Sequence, residues 1–271
     1  MKRADIDGIT LEYEVQGTGD PVVLIHGAWI ADTFATLMNE PVLRDRFRLI
    51  RYRRRGYGGS SRADGQLPVS RHAADCLALM RSLDAEPAHV VGHSYGCDVA
   101  LRLALDAPEA VRSLSLLEAL LFDVPSAPKL VDELERAAQM CEAGEKAAAV
   151  DAGLRAVCGQ EYRAALDAAV LRGFEQAVSD ADTLFGAELP ALGEWTFTRG
   201  DAARIKQPVL SVLGANSDAV VAAPVWGESH ERLLEWLPQA KPFVLPRATH
   251  LLHVQNPRDM AQALAGFFAE N

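Results

Sequence analysis

Val90-Val91-Gly92-His93-Ser94-Tyr95-Gly96 is the stretch on which the reading of this chain turns. Two β-branched residues lead into Gly-x-Ser-x-Gly, and an amphipathic run follows in Val99, Ala100, Leu101, Leu103 and Ala104. Strand, sharp turn and helix in that order hold a serine at the C-terminal edge of a sheet in a strained backbone conformation. Gly92 and Gly96 suit such a turn, because a side chain at either place would meet the neighbouring strand or helix. The same bend aims the first backbone N–H groups of the helix at whatever the serine attacks.

Upstream of the turn, Ile6 to Gln16 reads as two short strands punctuated by Gly8. Pro21 opens the apolar run Val22-Val23-Leu24-Ile25, which ends at His26-Gly27-Ala28-Trp29. Leu49-Ile50-Arg51-Tyr52 predicts the next strand, Ser70 to Leu83 a helix, and Ala88-His89-Val90-Val91 the strand that feeds the turn. Downstream, Val111 to Leu117, Pro208 to Leu213 and Pro242 to Leu245 are further apolar strands. Asn256 as N-cap and Pro257 at the first helical position open a closing helix, with Met260, Ala263, Leu264, Phe267 and Phe268 facing inward. Apolar strands without alternation, separated by helices, imply a parallel sheet covered on both faces. Between Leu120 and Ala203 the rhythm breaks into three alanine-rich helical patterns, Lys129–Ala143, Glu145–Val157 and Tyr162–Val178. Residues 1–119 and 204–271 are therefore read as an α/β core, and 120–203 as a helical insertion over the C-terminal edge of the sheet.

Composition narrows the function. A chain of 271 residues can bury a substantial core. Its net charge of −10 argues against nucleic acid as a partner and gives no attraction to anionic membranes. No apolar run reaches the length of a membrane span and no signal-like segment follows Met1-Lys2-Arg3, so a cytoplasmic protein is expected. Cys76, Cys97, Cys141 and Cys158 have no CxxC spacing and fall in helical patterns, which makes them reduced structural thiols; neither a metal nor a cofactor is expected. Self-association stays open.

In open parallel sheets reactive groups gather beyond the carboxyl ends of the strands. The residues found there are His26, Gly27, Ser94, Glu118, Asp218 and His250. A serine hydroxyl is a poor nucleophile until a base takes its proton, and an imidazole does this near neutral pH. A carboxylate must then hold the imidazole in the correct tautomer. His250, on the loop after the last strand, is the base. His253 makes a His-x-x-His pair with it, yet a third metal ligand has no obvious source. His26 tethers the loop after its strand by hydrogen bonds, and His72, His89 and His230 fit surface or helix positions.

These pieces resemble the α/β-hydrolase superfamily over essentially the whole chain: His26-Gly27, Arg55-Gly56-Tyr57-Gly58-Gly59-Ser60, Gly92-His93-Ser94-Tyr95-Gly96, Gly214 followed by an acid, and His250 before Asn256-Pro257. The resemblance implies an α/β-hydrolase fold: a mostly parallel eight-stranded sheet with helices on both faces and a helical cap between strands six and seven. It also implies an oxyanion hole from the backbone N–H groups of Ala28 and Tyr95, each donor worth roughly 3 kcal/mol. Two departures stand out. Relatives often carry aspartate where this chain has Arg53, which puts a local salt bridge in doubt and leaves Arg51 to Arg55 as a solvated basic rim. Relatives also place an aspartate three residues after Gly214, whereas here Ser217 stands there and Asp218 follows. Two carboxylates therefore compete as the triad acid: Asp218, after a one-residue slip, and Glu118, ranked first, whose Leu117-Glu118-Ala119 setting resembles haloalkane dehalogenases that draw their acid from that strand.

Ser94 speaks against dehalogenase or epoxide chemistry, which needs a carboxylate nucleophile. What remains is acyl transfer to water: a serine hydrolase cleaving carboxylic esters of small or medium apolar substrates. Hydrolysis of a C–C bond or lactone, perhydrolysis, or non-catalytic ligand binding are the alternatives. Trp29, Leu121, Phe122 and Trp195 are the expected substrate contacts, with Leu120, Phe174, Phe185 and Phe197 near the underside of the insertion. Asp98, in the first turn after Ser94, suits the helix dipole and as an anion would disfavour acidic substrates.

Overall fold

Successive side chains of a strand point to opposite faces, and in the run Val22-Val23-Leu24-Ile25 all four are buried. Val22 and Leu24 pack with Phe34, Leu37, Met260, Leu264 and Phe267 on one face of the sheet. Val23 and Ile25 pack with Val69, Leu79, Val99 and Leu103 on the other. A strand buried on both sides has no polar face, which is why its sequence does not alternate. A computed structural model describes residues 1–217 and 224–271.

Eight strands make one sheet: β1 (Lys2–Ile6), β2 (Ile9–Gln16), β3 (Asp20–Ile25), β4 (Phe47–Arg53), β5 (Ala88–His93), β6 (Val111–Leu117), β7 (Val209–Gly214) and β8 (Ala240–Leu245). Their order is β1-β2-β4-β3-β5-β6-β7-β8. β1 and β2 pair antiparallel with each other, β2 pairs antiparallel with β4, and the remaining pairings are parallel. This is the mostly parallel eight-stranded sheet expected from the resemblance. The longer helices are α1 (Val69–Ser82), α2 (Tyr95–Asp106), α3 (Ala127–Glu142), α4 (Lys146–Cys158), α5 (Tyr162–Ala169), α6 (Gly173–Ser179), α7 (Val225–Trp236) and α8 (Pro257–Ala269). Asn256 caps α8 by accepting from the Asp259 N–H.

The segment between β6 and β7 is mostly helical and holds no strand, and its third pattern differs from expectation. Tyr162–Val178 is two helices, α5 and α6, because Arg172 adopts a left-handed conformation (φ 54°) and Gly173 packs its bare Cα against Leu166 and Val170. A π-helical stretch, Thr183–Glu188, follows. No helix among the described residues is long and apolar enough to cross a membrane.

Candidate active site

Ser94 occupies the bend between β5 and α2 with φ 51° and ψ −124°, a conformation that costs an L-residue of order 1–3 kcal/mol. The surroundings impose it. A Cβ on Gly92 would lie 2.4 Å from the Gly96 carbonyl oxygen, and one on Gly96 would lie 2.1 Å from that of Ile25. The Ser94 N–H donates to the Leu117 carbonyl at 3.0 Å, so β6 braces the bend from the side. Trp29 (φ 60°) and Glu118 (φ 48°), at the ends of β3 and β6, share this strained left-handed region. Three of the strained residues thus lie beyond the carboxyl ends of neighbouring strands.

At that edge Glu118, buried at 3% exposure, brings its Oε2 within 2.6 Å of His250 Nδ1. Its Oε1 accepts from the Gly214 N–H at 2.7 Å and from the Ser217 hydroxyl. Both oxygens are therefore hydrogen-bonded, as burial of a carboxylate requires. The His250 ring stacks on the indole of Trp226, centroids 3.8 Å apart, and its carbonyl accepts from His93 Nε2 at 2.8 Å. Two contacts, from Glu118 and Trp226, hold the imidazole, and a third, from His93, holds its backbone. Ser94 and His250 line one small cavity together with Ala28, Trp29, His93 and Leu154. No direct hydrogen bond joins the serine hydroxyl to the imidazole, a contact that commonly tightens only when substrate arrives. Asp218 lies outside the described residues.

Ala28 and Tyr95 flank Ser94 in the wall of a second cavity, and neither backbone N–H donates to a backbone carbonyl among the described residues. The Tyr95 N–H is the first of α2 and so has no intrahelical acceptor. Below Ala28 the backbone is locked by a buried network. His26 Nε2 accepts from the Arg54 N–H at 3.0 Å, and His26 Nδ1 donates to the Gly27 carbonyl at 2.7 Å. The Arg54 guanidinium donates to the carbonyls of His26 and Gly27 and stacks over the rings of Tyr57 and Tyr95. It pairs with Glu188 of the π-helical stretch, which also accepts from the Tyr57 hydroxyl at 2.8 Å and lies 2.8 Å from His72 Nε2. Burial alone would raise the Glu188 carboxyl, but the Arg54 charge and hydrogen bonds from its neighbours bring it down to about 2. Burial and the Arg54 charge hold His26 well below its usual value, so its ring is neutral and its tautomer is set by these bonds.

The arginine run is therefore not a solvated rim. Arg51 pairs with Glu14 and Asp32, Arg53 with Glu12 and Asp32, Arg54 with Glu188, and Arg55 with Asp75. Asp32, twenty residues upstream, supplies the acid that the local sequence lacks. His72 and His230 lie on helices α1 and α7, one of the two positions expected, and His89 on β5; all three are buried, and His89 Nδ1 bonds Ser113 while His230 Nδ1 bonds Ser211. His253 is buried, stacks on Phe34, and burial with the adjacent His250 holds it down at about 3. No group of three His, Cys, Asp or Glu among the described residues could hold a metal.

The cavity of about 50 Å³ beside Ser94 is walled by Trp29, Asp98, Leu120, Phe122, Leu184 and Trp226 among others. It shares Phe122, Leu134, Leu189 and Leu192 with an outer groove of about 620 Å³ that also holds Phe185 and Trp195. Leu121 is not among the residues lining these two cavities, and its backbone N–H donates to Ser229 Oγ; Phe174 lies against Arg163 and Phe197 against Trp236. The sequence reading missed Trp226, Arg54 and Glu188. Glu188 left one signal, a lone carboxylate between Phe185 and Leu189 in an otherwise apolar run.

A family profile described as alpha/beta hydrolase fold matches residues 20–257. BpoC of Mycobacterium tuberculosis, a protein that carries the name "Putative non-heme bromoperoxidase", is 29% identical over 279 aligned residues, covering 96% of this chain and 98% of that protein. A fluoroacetate dehalogenase of a Burkholderia species is 33% identical over 119 residues, 42% of this chain and 39% of that one. The structure of a thermophilic esterase from Thermogutta terrifontis superposes with a TM-score of 0.84 at 22% identity, over 100% of this chain and 99% of that one.

Proposed function

The chain belongs to the α/β-hydrolase fold family, and from that premise we propose that it is a serine hydrolase cleaving carboxylic esters of small to medium apolar substrates. The observation that carries the proposal is the 2.6 Å contact of Glu118 with His250 Nδ1, in a cavity wall that His250 shares with Ser94. With Nδ1–H donated to Glu118, Nε2 is free to take the proton of the Ser94 hydroxyl. The serine oxygen then attacks the ester carbonyl carbon, and the N–H groups of Ala28 and Tyr95 stabilise the resulting oxyanion. His250 returns the proton to the leaving alcohol, and water, deprotonated by the same imidazole, hydrolyses the acyl-enzyme. Glu118 is the triad acid of this reading. Segment 120–203 acts as the cap, and its apolar groove supports a preference for uncharged, apolar chains.

Fluorophosphonate labelling tests the proposal. An adduct at Ser94, together with aryl-ester hydrolysis that rises with acyl length and vanishes in Ser94→Ala, is expected. No adduct and no turnover would leave a ligand-binding protein on a hydrolase fold. A second reading, capture of the acyl-enzyme by hydrogen peroxide to give a peracid, rests on the full-length likeness to the bromoperoxidase; peracid formed from a short carboxylic acid and peroxide would support it.

A further inference from the structure

Asp98 has no part in the reaction just described, yet it forms part of the cavity wall next to Ser94. It is buried, at 3% exposure, in a wall otherwise dominated by leucine, phenylalanine and tryptophan. Its Oδ1 accepts from Trp195 Nε1 at 3.0 Å, and its other oxygen has no hydrogen-bond partner among the described residues. Arg54, the cation that acts on it, is already committed to Glu188. That oxygen keeps a small accessible surface in a side chain that is otherwise buried, so a ligand atom entering the cavity can complete its hydrogen bonding.

We infer that the free oxygen of Asp98 is the polar recognition point of the pocket: it accepts a hydrogen bond from a hydroxyl or N–H on the substrate, and turns away substrates bearing a carboxylate there. The inference rests on the reading of Ser94 as nucleophile. Asp98 stands four residues beyond Ser94, so the recognised group lies about 6 Å along the helix from the attacked carbonyl. Burial pushes the Asp98 carboxyl up to about 7, against the opposing pull of Trp195 and Arg54, so near neutral pH the group is present in both forms. Trp195 also lines the outer groove, so its hydrogen bond reaches Oδ1 from the entrance side and leaves the other oxygen open.

The test compares aryl esters of equal acyl length ending in methyl, hydroxyl, methoxy or carboxylate, and the same four endings on the alcohol side of a short-chain ester. Assays run at about pH 8.5, where a carboxyl titrating near 7 is ionised. The wild type is expected to favour hydroxyl over methoxy about tenfold in kcat/KM in one of the two series, and to turn over the carboxylate-ended ester poorly. In Asp98→Asn, which keeps the shape and the acceptor for Trp195, the hydroxyl preference falls to about one. The carboxylate-ended ester gains about tenfold or more relative to the methyl-ended one. Trp195→Phe removes the indole N–H but not the carboxyl, and retains the wild-type ranking. If Asp98→Asn ranks the endings as the wild type does in both series, or if Trp195→Phe reproduces its effect, the inference is overturned. A wild type that hydrolyses none of the esters, or a Ser94→Ala that hydrolyses them all, refutes the serine-hydrolase reading instead.

Discussion

Glu118→Gln exchanges one atom beside His250 and leaves the volume of the site unchanged. In the native site Oε1 is held by two donors, the Gly214 N–H and the Ser217 hydroxyl, so the glutamine oxygen takes that place. Its amide NH₂ then faces His250 Nδ1, where the carboxylate had accepted at 2.6 Å. Nδ1 is forced to act as acceptor and the ring proton moves to Nε2, which can no longer take the proton of Ser94. A wrong-tautomer substitution of this kind costs about 10⁴-fold in kcat in a serine protease, or about 5.4 kcal/mol in the barrier. Initial rates on an aryl ester measure the loss, with circular dichroism and a thermal melt showing that the fold is intact. KM should change little, because the apolar walls are untouched. The reasoning is refuted if Glu118→Gln stays within tenfold of wild type while Asp218→Asn loses activity by orders of magnitude.

Glu188→Gln removes one charge from a pair whose side chains are both 0% exposed and leaves the Arg54 guanidinium uncompensated; a loss of about 3–5 kcal/mol in urea-unfolding free energy is expected. Gly96→Ala would place a methyl 2.1 Å from the Ile25 carbonyl oxygen, so soluble expression or fluorophosphonate labelling should fail. Stability should fall as pH drops below about 6.5, because buried histidines with lowered values stay neutral in the fold while the unfolded chain takes up protons. His89, at about 4, and His253, at about 3, together cost roughly 2 kcal/mol between pH 6.5 and 5.5, and His26, His72, His93 and His230 shift in the same direction. Asp98 works oppositely: its raised carboxyl binds a proton in the fold that the unfolded chain lacks, which returns about 1 kcal/mol over that window. Melting temperatures measured from pH 8 to 5 check the balance, and a flat profile would contradict it.

The sheet was legible in the sequence because each central strand is a short apolar run bounded by turn residues, and because Gly92 and Gly96 stand where backbones nearly touch. Both signals are local. Partners far apart in the chain left no such trace. Arg51 and Arg53 read as solvated because Asp32 and Glu12 are brought beside them only by the pairing of β2 with β4 and the loop after β3. His72, on an amphipathic helix, looked exposed because the carboxylate beside it is Glu188, over a hundred residues later. Tyr162–Val178 kept helical spacing across a break that only the packing of Gly173 against Leu166 explains. Trp226, three residues past the undescribed stretch, follows no strand end and carries no motif, and its stacking on His250 could be known only from the fold.

The ion pair between Arg54 and Glu188 also joins the segment between β6 and β7 to the end of β4, which bears on how the proposed cap could open. Parting those two groups costs about 3–5 kcal/mol, a factor of roughly 10²–10⁴ in population. The helical segment is thus tied to the end of β4, and on the proposed cap reading a swing that admits a bulky ester is expected to pivot about that tie. On the opposite margin, where α3 borders Leu189–Trp195 along the outer groove, the buried tie is the Trp195–Asp98 hydrogen bond, without the paired charges of Arg54 and Glu188, and the proposed cap is expected to yield on that side first.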